Sequence, residues 1–239
     1  MKRVGHKGAD LIAPGNTPAS FDAALDAGVD VIEFDILPVD RLDPGGSQLV
    51  LCHDFDHLAE GGSPTMEDGL DHLCGATFGD VHLDVDLKMR GYELRVVEAL
   101  RERGLLERTL ISSHHLESLD VVRAADPSIK LGWSVPNLKN DPTKSPLLIV
   151  PAFLALQVIK LVLPRRVART IRAGRIDALM AHWRLVDRRL VRAVQAAGGE
   201  IYVWTVDDEP AIRRLESLGV DAIISNDPRL FGAPAASAA

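Results

Sequence analysis

Short apolar runs, most of them followed by a stretch of helical period, recur along almost the whole chain. The runs are Arg3–His6, Val29–Leu37, Gln48–His53, His82–Lys88, Thr109–Ser113, Lys130–Val135, Asp177–Ala181, Glu200–Val206 and Ala222–Ser225. Helix-like segments lie between them, among them Pro18–Ala27, Tyr92–Arg103, Leu116–Ala125, Asp187–Ala197 and Asp208–Leu218. Strands that alternate with helices build βαβ units and hence a parallel sheet. At 239 residues the chain has the length of one closed α/β barrel, typically about 250 residues. There is one run more than eight βα units need. Only Asp40–Ser47, with Pro44, Gly45 and Gly46, separates the second run from the third. That is too short for a parallel crossover, so these two runs are expected to pair as a hairpin. The expected fold is therefore an α/β chain forming a (β/α)8 TIM barrel with an extra hairpin strand after strand 2. It should occupy residues 1–232, with the Ala-rich residues 233–239 a disordered tail.

The charge balance narrows the partners. With 27 Lys and Arg against 34 Asp and Glu, the formal net charge is −7. Nucleic acid is therefore not an expected partner. An acidic chain that handles an anionic ligand needs a local positive centre, such as a bound cation or clustered basic side chains. Cys52 and Cys74 match no zinc spacing and no disulfide framework; they read as buried thiols in a reducing, cytoplasmic compartment. The opening residues, MKRVGHKGAD, carry no apolar leader core. Residues 146–175 stand apart: the apolar Pro146–Pro164 precedes Arg165, Arg166, Arg169, Arg172 and Arg175. Gln157, Lys160 and Pro151 argue against a bilayer span. A buried barrel helix is the first expectation, and an interfacial helix giving peripheral membrane contact the second.

Acidic side chains fall where a buried parallel strand should be apolar on both faces. In Val-Ile-Glu-Phe-Asp-Ile, Glu33 and Asp35 share one face and Ile32, Phe34 and Ile36 the other. In His82–Lys88, Asp84, Asp86 and Lys88 share a face opposite Val85 and Leu87. If the branched faces pack on the outer helices, Glu33, Asp35 and Asp86 converge on the barrel mouth. Burying three carboxylates is costly unless a cation neutralises them, and an all-oxygen set suits Mg2+ or Ca2+ rather than zinc. His6 and His53 each end a strand on the same rim, where an imidazole can take or give a proton. His114, His115 and His182 also follow or end strands, but no motif gives them a role.

These residues, in order, resemble a known pattern. His6-Lys7-Gly8, Pro14-Gly15-Asn16-Thr17, Ile32-Glu33-Phe34-Asp35, His53-Asp54 and Asp86-Leu87-Lys88 follow the motif series of the glycerophosphodiester phosphodiesterase family, a branch of the phosphatidylinositol-phospholipase-C-like barrels. Val203–Val206 and Gly219–Pro228 resemble its last two strands. The resemblance implies a hydrolase that releases an alcohol and sn-glycerol 3-phosphate from glycerophosphodiesters or lysophospholipids. In related phospholipases a substrate hydroxyl attacks first to give a cyclic phosphate. Carried over by position, His6 and His53 are the acid/base pair and Glu33, Asp35 and Asp86 hold a divalent cation. Lys7, Lys88 and Trp204 contact the substrate. Three positions depart from the pattern: Lys7 for Arg, Asp86 for Glu, and Gly15 for Glu. The loss at position 15 leaves a non-catalytic phosphodiester-binding barrel as one alternative. The apolar segment leaves a lysophospholipase D-like enzyme at a membrane surface as another.

Overall fold

The computed structural model describes residues 1–136 and 149–232, with side chains from residue 157 onward in the second span. Its strands are β1 (Lys2–Gly5), β2 (Val31–Pro38), β3 (Leu49–Leu51), β4 (His82–Leu87), β5 (Thr109–Ser113), β6 (Lys130–Val135), β7 (Ala178–His182), β8 (Glu200–Trp204) and β9 (Ala222–Ser225). The sheet order is β1-β9-β8-β7-β6-β5-β4-β2-β3, and a β1–β2 pairing closes it. All pairings are parallel except that of β3, which runs antiparallel to β2 with Ile36 opposite Leu51. The expected TIM barrel with a hairpin strand after strand 2 is what forms.

The helices are α1 (Pro18–Asp26), α2 (Phe55–Glu60), α3 (Met66–Leu73), α4 (Glu93–Glu102), α5 (Leu116–Ala125), α6 (Ile149–Arg172), α7 (Arg188–Gln195) and α8 (Glu209–Leu218). Local chemistry starts several of them. Thr17 caps α1 with a reciprocal bond to Ser20, and Pro18 supplies the first turn. Asp54, Asp187 and Asp208 cap α2, α7 and α8.

Side-chain alternation sorts the two faces of the barrel wall. Ile32, Phe34, Ile36, Leu83, Val85 and Leu87 join the large core between strands and helices. The inner face carries a smaller plug that includes Val4, Val31, Leu110, Met180, Tyr202 and Ile224. The branched face of β2 therefore packs outward, and Glu33 and Asp35 point into the barrel.

Two expectations need correcting. Cys52 is buried, but Cys74 is exposed, because it caps the C-terminus of α3 on the outside of the barrel. The apolar stretch before Pro164 is not a buried barrel helix over its described turn: Val158, Leu161 and Val162 are exposed, and burial begins at Leu163 and continues at Val167, Ala168 and Ile171. The reason is length. At 1.5 Å per residue, 24 residues of α6 run about 36 Å, far beyond what a six-residue strand can cover. Residues 137–148, the side chains of 149–156 and the tail 233–239 lie outside the described residues.

Candidate active site

The C-terminal ends of the strands gather the acidic and basic groups into one cavity of about 130 Å3. Its wall includes His6, Glu33, His53, Asp86, Lys88 and Trp204. Asp35, fully buried, lies behind them. β2 and β4 are in register with Glu33 opposite Asp84 and Asp35 opposite Asp86, so the strands stack two tiers of carboxylates side by side.

Lys88 holds the upper tier. Its Nζ lies 2.5 Å from Asp35 Oδ1 and 2.6 Å from Asp86 Oδ2. Burial alone would lower its pKa; Asp35, Asp86 and Glu33 outweigh that and raise it well above the ordinary lysine value. For Asp35 burial pushes upward, but Lys88, then His53 and His6, and the Asn16 amide hold the carboxyl below its usual range. Asn16 clamps Asp35 on both sides: Nδ2 donates to Asp35 Oδ2 at 2.9 Å, and Oδ1 accepts from the Asp35 amide at 2.9 Å. Glu33 is raised well above the ordinary value by burial and then by Asp35. The Lys7 amide donates to Glu33 Oε2 at 2.8 Å.

The acidic group fits a divalent cation. One carboxylate oxygen each from Glu33, Asp35 and Asp86 lies within 4.8 Å of the others. Asp35 Oδ1 is buried and has the Lys88 ammonium as its one close partner. Buried carboxylates that repel one another, with a single ammonium among them, are what a hard cation stabilises.

His6 is positioned by a relay that the motifs do not reveal. Its Nδ1 donates to Asn226 Oδ1 at 2.5 Å, while Asn226 Nδ2 donates to Asp207 Oδ2 at 2.6 Å. Asp207 fixes the amide orientation, the amide fixes the imidazole tautomer, and His6 Nε2 is left with its lone pair, 3.9 Å from Glu33 Oε2. Burial lowers the His6 pKa against the pull of Asp35, which favours the neutral ring. His53, just past the end of β3, is half-exposed and donates Nδ1 to Asp54 Oδ2 at 2.8 Å.

Lys7 reaches the site mainly through its backbone. Its side chain pairs with Asp10 at 2.5 Å and lines an adjoining groove shared with His53. The departures at positions 7 and 15 belong together. A Cβ on Gly15 would come 2.4 Å from Asp10 Oδ1, so the Asp10 carboxylate takes the space a side chain there would need. The corner keeps its negative charge on Asp10, which also accepts from the Gly15 amide at 2.9 Å.

Further inward residues complete the cavity. Asp84 accepts from Ser112 Oγ at 2.7 Å, and burial pushes its carboxyl up to about 8. His114 Nδ1 donates to the Ser134 carbonyl at 2.9 Å, its ring edge-on to Trp204 with centroids 6.1 Å apart. Trp204 Nε1 donates to the Met180 carbonyl at 3.0 Å, which fixes the indole against the mouth. Period-two alternation marks Asp84 as inward; His114 and Asn226 carry no such signal, because each lies just past a strand end.

The pattern described as the glycerophosphoryl diester phosphodiesterase family matches residues 81–230. The chain belongs to that family. Membership makes it a phosphodiester hydrolase by class, built on the barrel described above. A glycerophosphodiester phosphodiesterase of Caldanaerobacter subterraneus is 24% identical over 257 residues, covering 94% of this chain and 93% of its own. Among solved structures, an Oleispira antarctica phosphodiesterase in complex with the product sn-glycerol-3-phosphate superposes with TM-score 0.71 at 20% identity, covering 96% of this chain and 94% of that one. A Parabacteroides distasonis glycerophosphodiester phosphodiesterase gives TM-score 0.69 at 19% identity, covering 95% and 93%. The family match begins at residue 81, so it includes Asp86, Lys88 and Trp204; the Caldanaerobacter relative, covering 94% of the chain, extends the likeness upstream of it.

Proposed function

We propose that this member of the family hydrolyses glycerophosphodiesters to an alcohol and sn-glycerol 3-phosphate, with His6 and His53 as the acid/base pair. The observation that carries the reading is convergence: two imidazoles, with Glu33 of β2 and Asp86 of β4, line one opening, and Asp35 lies directly behind them within ligand distance of both carboxylates. Glu33, Asp35 and Asp86 would hold Mg2+ or Ca2+, which when bound supplies positive charge to the phosphodiester. His6 Nε2 takes the proton of the attacking oxygen, because Asn226 and Asp207 hold the opposite nitrogen protonated. His53, anchored by Asp54 through Nδ1, delivers a proton from Nε2 to the leaving oxygen. Lys88 places an ammonium beside the phosphate, and Lys7 adds charge from the adjoining groove. The Trp204 face offers an apolar wall for the glycerol or headgroup carbons. Attack by a vicinal glycerol hydroxyl through a cyclic phosphate would call on the same base and acid. In the test, purified protein with Mg2+ or Ca2+ releases glycerol 3-phosphate from glycerophosphocholine, and EDTA, His6→Ala or His53→Ala each abolish release. Turnover that survives both substitutions and the chelator overturns the assignment.

One observation favours a second reading, in which lysophospholipids are taken at a membrane surface. Val158, Leu161, Val162, Arg165, Arg169 and Arg172 are spaced i, i+3, i+4, i+7, i+11 and i+14, which puts them on one face of α6. All six are exposed. The helix starts on the catalytic side of the barrel, so the apolar turn lies at that end and the arginines follow it. Among the described residues no helix is long and apolar enough to cross a membrane; contact would be peripheral.

A further inference from the structure

One cluster beside the cavity has a member that the hydrolytic reading does not use. Where β3 runs into α2, Asp54 sits between two imidazoles: His53 Nδ1 is 2.8 Å from Oδ2, and His57 Nδ1 is 2.8 Å from Oδ1. Oδ1 also accepts the His57 amide at 2.9 Å and so caps the helix, which leaves Oδ2 available without loss of the cap. One donor atom from each residue lies within 4.8 Å of the others. The three side chains are 45%, 39% and 61% exposed for His53, Asp54 and His57, so an ion has an open approach.

The donor set differs in kind from that of the barrel mouth. Glu33, Asp35 and Asp86 offer only oxygen and suit a hard cation. Two imidazoles and a carboxylate with one open position suit a borderline first-row ion, in the manner of zinc sites with three protein ligands and a water. Zinc–nitrogen bonds of about 2.0–2.1 Å put tetrahedral donors roughly 3.3 Å apart, so donors that already lie within 4.8 Å of one another need to shift by no more than about 1.5 Å. Exposed rings, one before a short helix and one in its first turn, can make that adjustment. Hydrogen bonds from His53 and then His57 overcome the effect of burial and keep Asp54 ionised, ready to ligate.

We propose that His53, Asp54 and His57 form an accessory site for Zn2+ or a similar transition ion, and that its occupancy inhibits the enzyme. On binding, each neutral ring ligates through the nitrogen that faces Asp54 and carries its single proton on the other. His53 Nε2 then stays protonated and cannot alternate between giving and taking a proton. The inhibitory half rests on the role assigned to His53 above; the binding half does not.

Calorimetric titration of ZnCl2 into wild type and His57→Gln, both in excess Mg2+ to occupy the carboxylate cluster, tests the site. His57 is a surface side chain outside the proposed catalytic set, so His57→Gln is expected to fold and to keep its Mg2+-supported turnover. Wild type binds one Zn2+ per chain, and His57→Gln binds it at least 10-fold more weakly. Zn2+ inhibits wild-type turnover, and at least 10-fold more is needed to inhibit the variant. Equal Zn2+ affinity in the two proteins, or no binding in excess Mg2+, overturns the site. Binding without inhibition overturns the regulatory half. If the protein proves inactive on every diester, the calorimetry still decides whether the site exists.

Discussion

Replacing Lys88 with methionine isolates the electrostatics of the barrel mouth. The side chain keeps its length and loses the charge that sits 2.5 and 2.6 Å from Asp35 and Asp86. Asp35 is fully buried and Asp86 nearly so, with Glu33 and Asp84 buried beside them. Removing one partner of a buried pair costs about 3–5 kcal/mol, because the remaining charges keep their desolvation penalty without compensation. For a chain of this size each kcal/mol shifts the melting temperature by about 2–4 °C. Lys88→Met should therefore melt about 6–20 °C below wild type in EDTA. A divalent cation between the same carboxylates replaces the missing charge, and at 100 times its Kd it returns about 2.7 kcal/mol. Calcium should thus raise the melting temperature of both proteins, and that of the variant more. Scanning calorimetry in EDTA and then in Ca2+ or Mg2+ provides the measurement. A variant that melts within a degree of wild type in EDTA, and that neither cation stabilises, would refute the account of a charge-compensated acidic cluster.

Asp84 gives a pH test. Its folded pKa is raised from 3.8 to about 8, so the native state binds the extra proton and stability falls as pH rises across that window. Asp84→Asn, which mimics the protonated form, should flatten the decline of the metal-free melting temperature between about pH 5 and pH 8; a slope equal to that of wild type would show that this carboxyl is ionised throughout. The helical stripe gives a lipid test. Exposed valine and leucine side chains each contribute up to about 1.5–3 kcal/mol when buried, so Val158→Ser with Leu161→Ser should weaken binding to anionic vesicles by 10-fold or more in sedimentation. Identical vesicle binding by the double variant, or none by wild type, would reject the membrane reading.

Much of the fold is legible in the chain because it depends on local periodicity. Thr109–Ser113, Lys130–Val135, Leu116–Ala125 and Ala222–Ser225 form the elements their patterns predict, to the residue. α2 and α3 escape such reading: α2 is only six residues long, Gly61 and Gly62 follow it, and Gly69 interrupts the pattern of α3. The fate of α6 was likewise hidden. Its apolar turns read as core, whereas how much of a helix is covered depends on the wall it lies against.

By itself the sequence determined the strand–helix alternation, the hairpin forced by a short connection, and which side chains share a face. Each follows from dihedral geometry that repeats every two or every 3.6 residues. Tertiary structure alone decided that β1 closes on β2, that Lys88 bridges two strands, that Asp207 orients His6 through Asn226, and that Asp10 fills the space left by Gly15. All but the last of those contacts join residues far apart in the chain. Their distances come from barrel closure and register, which no local pattern encodes.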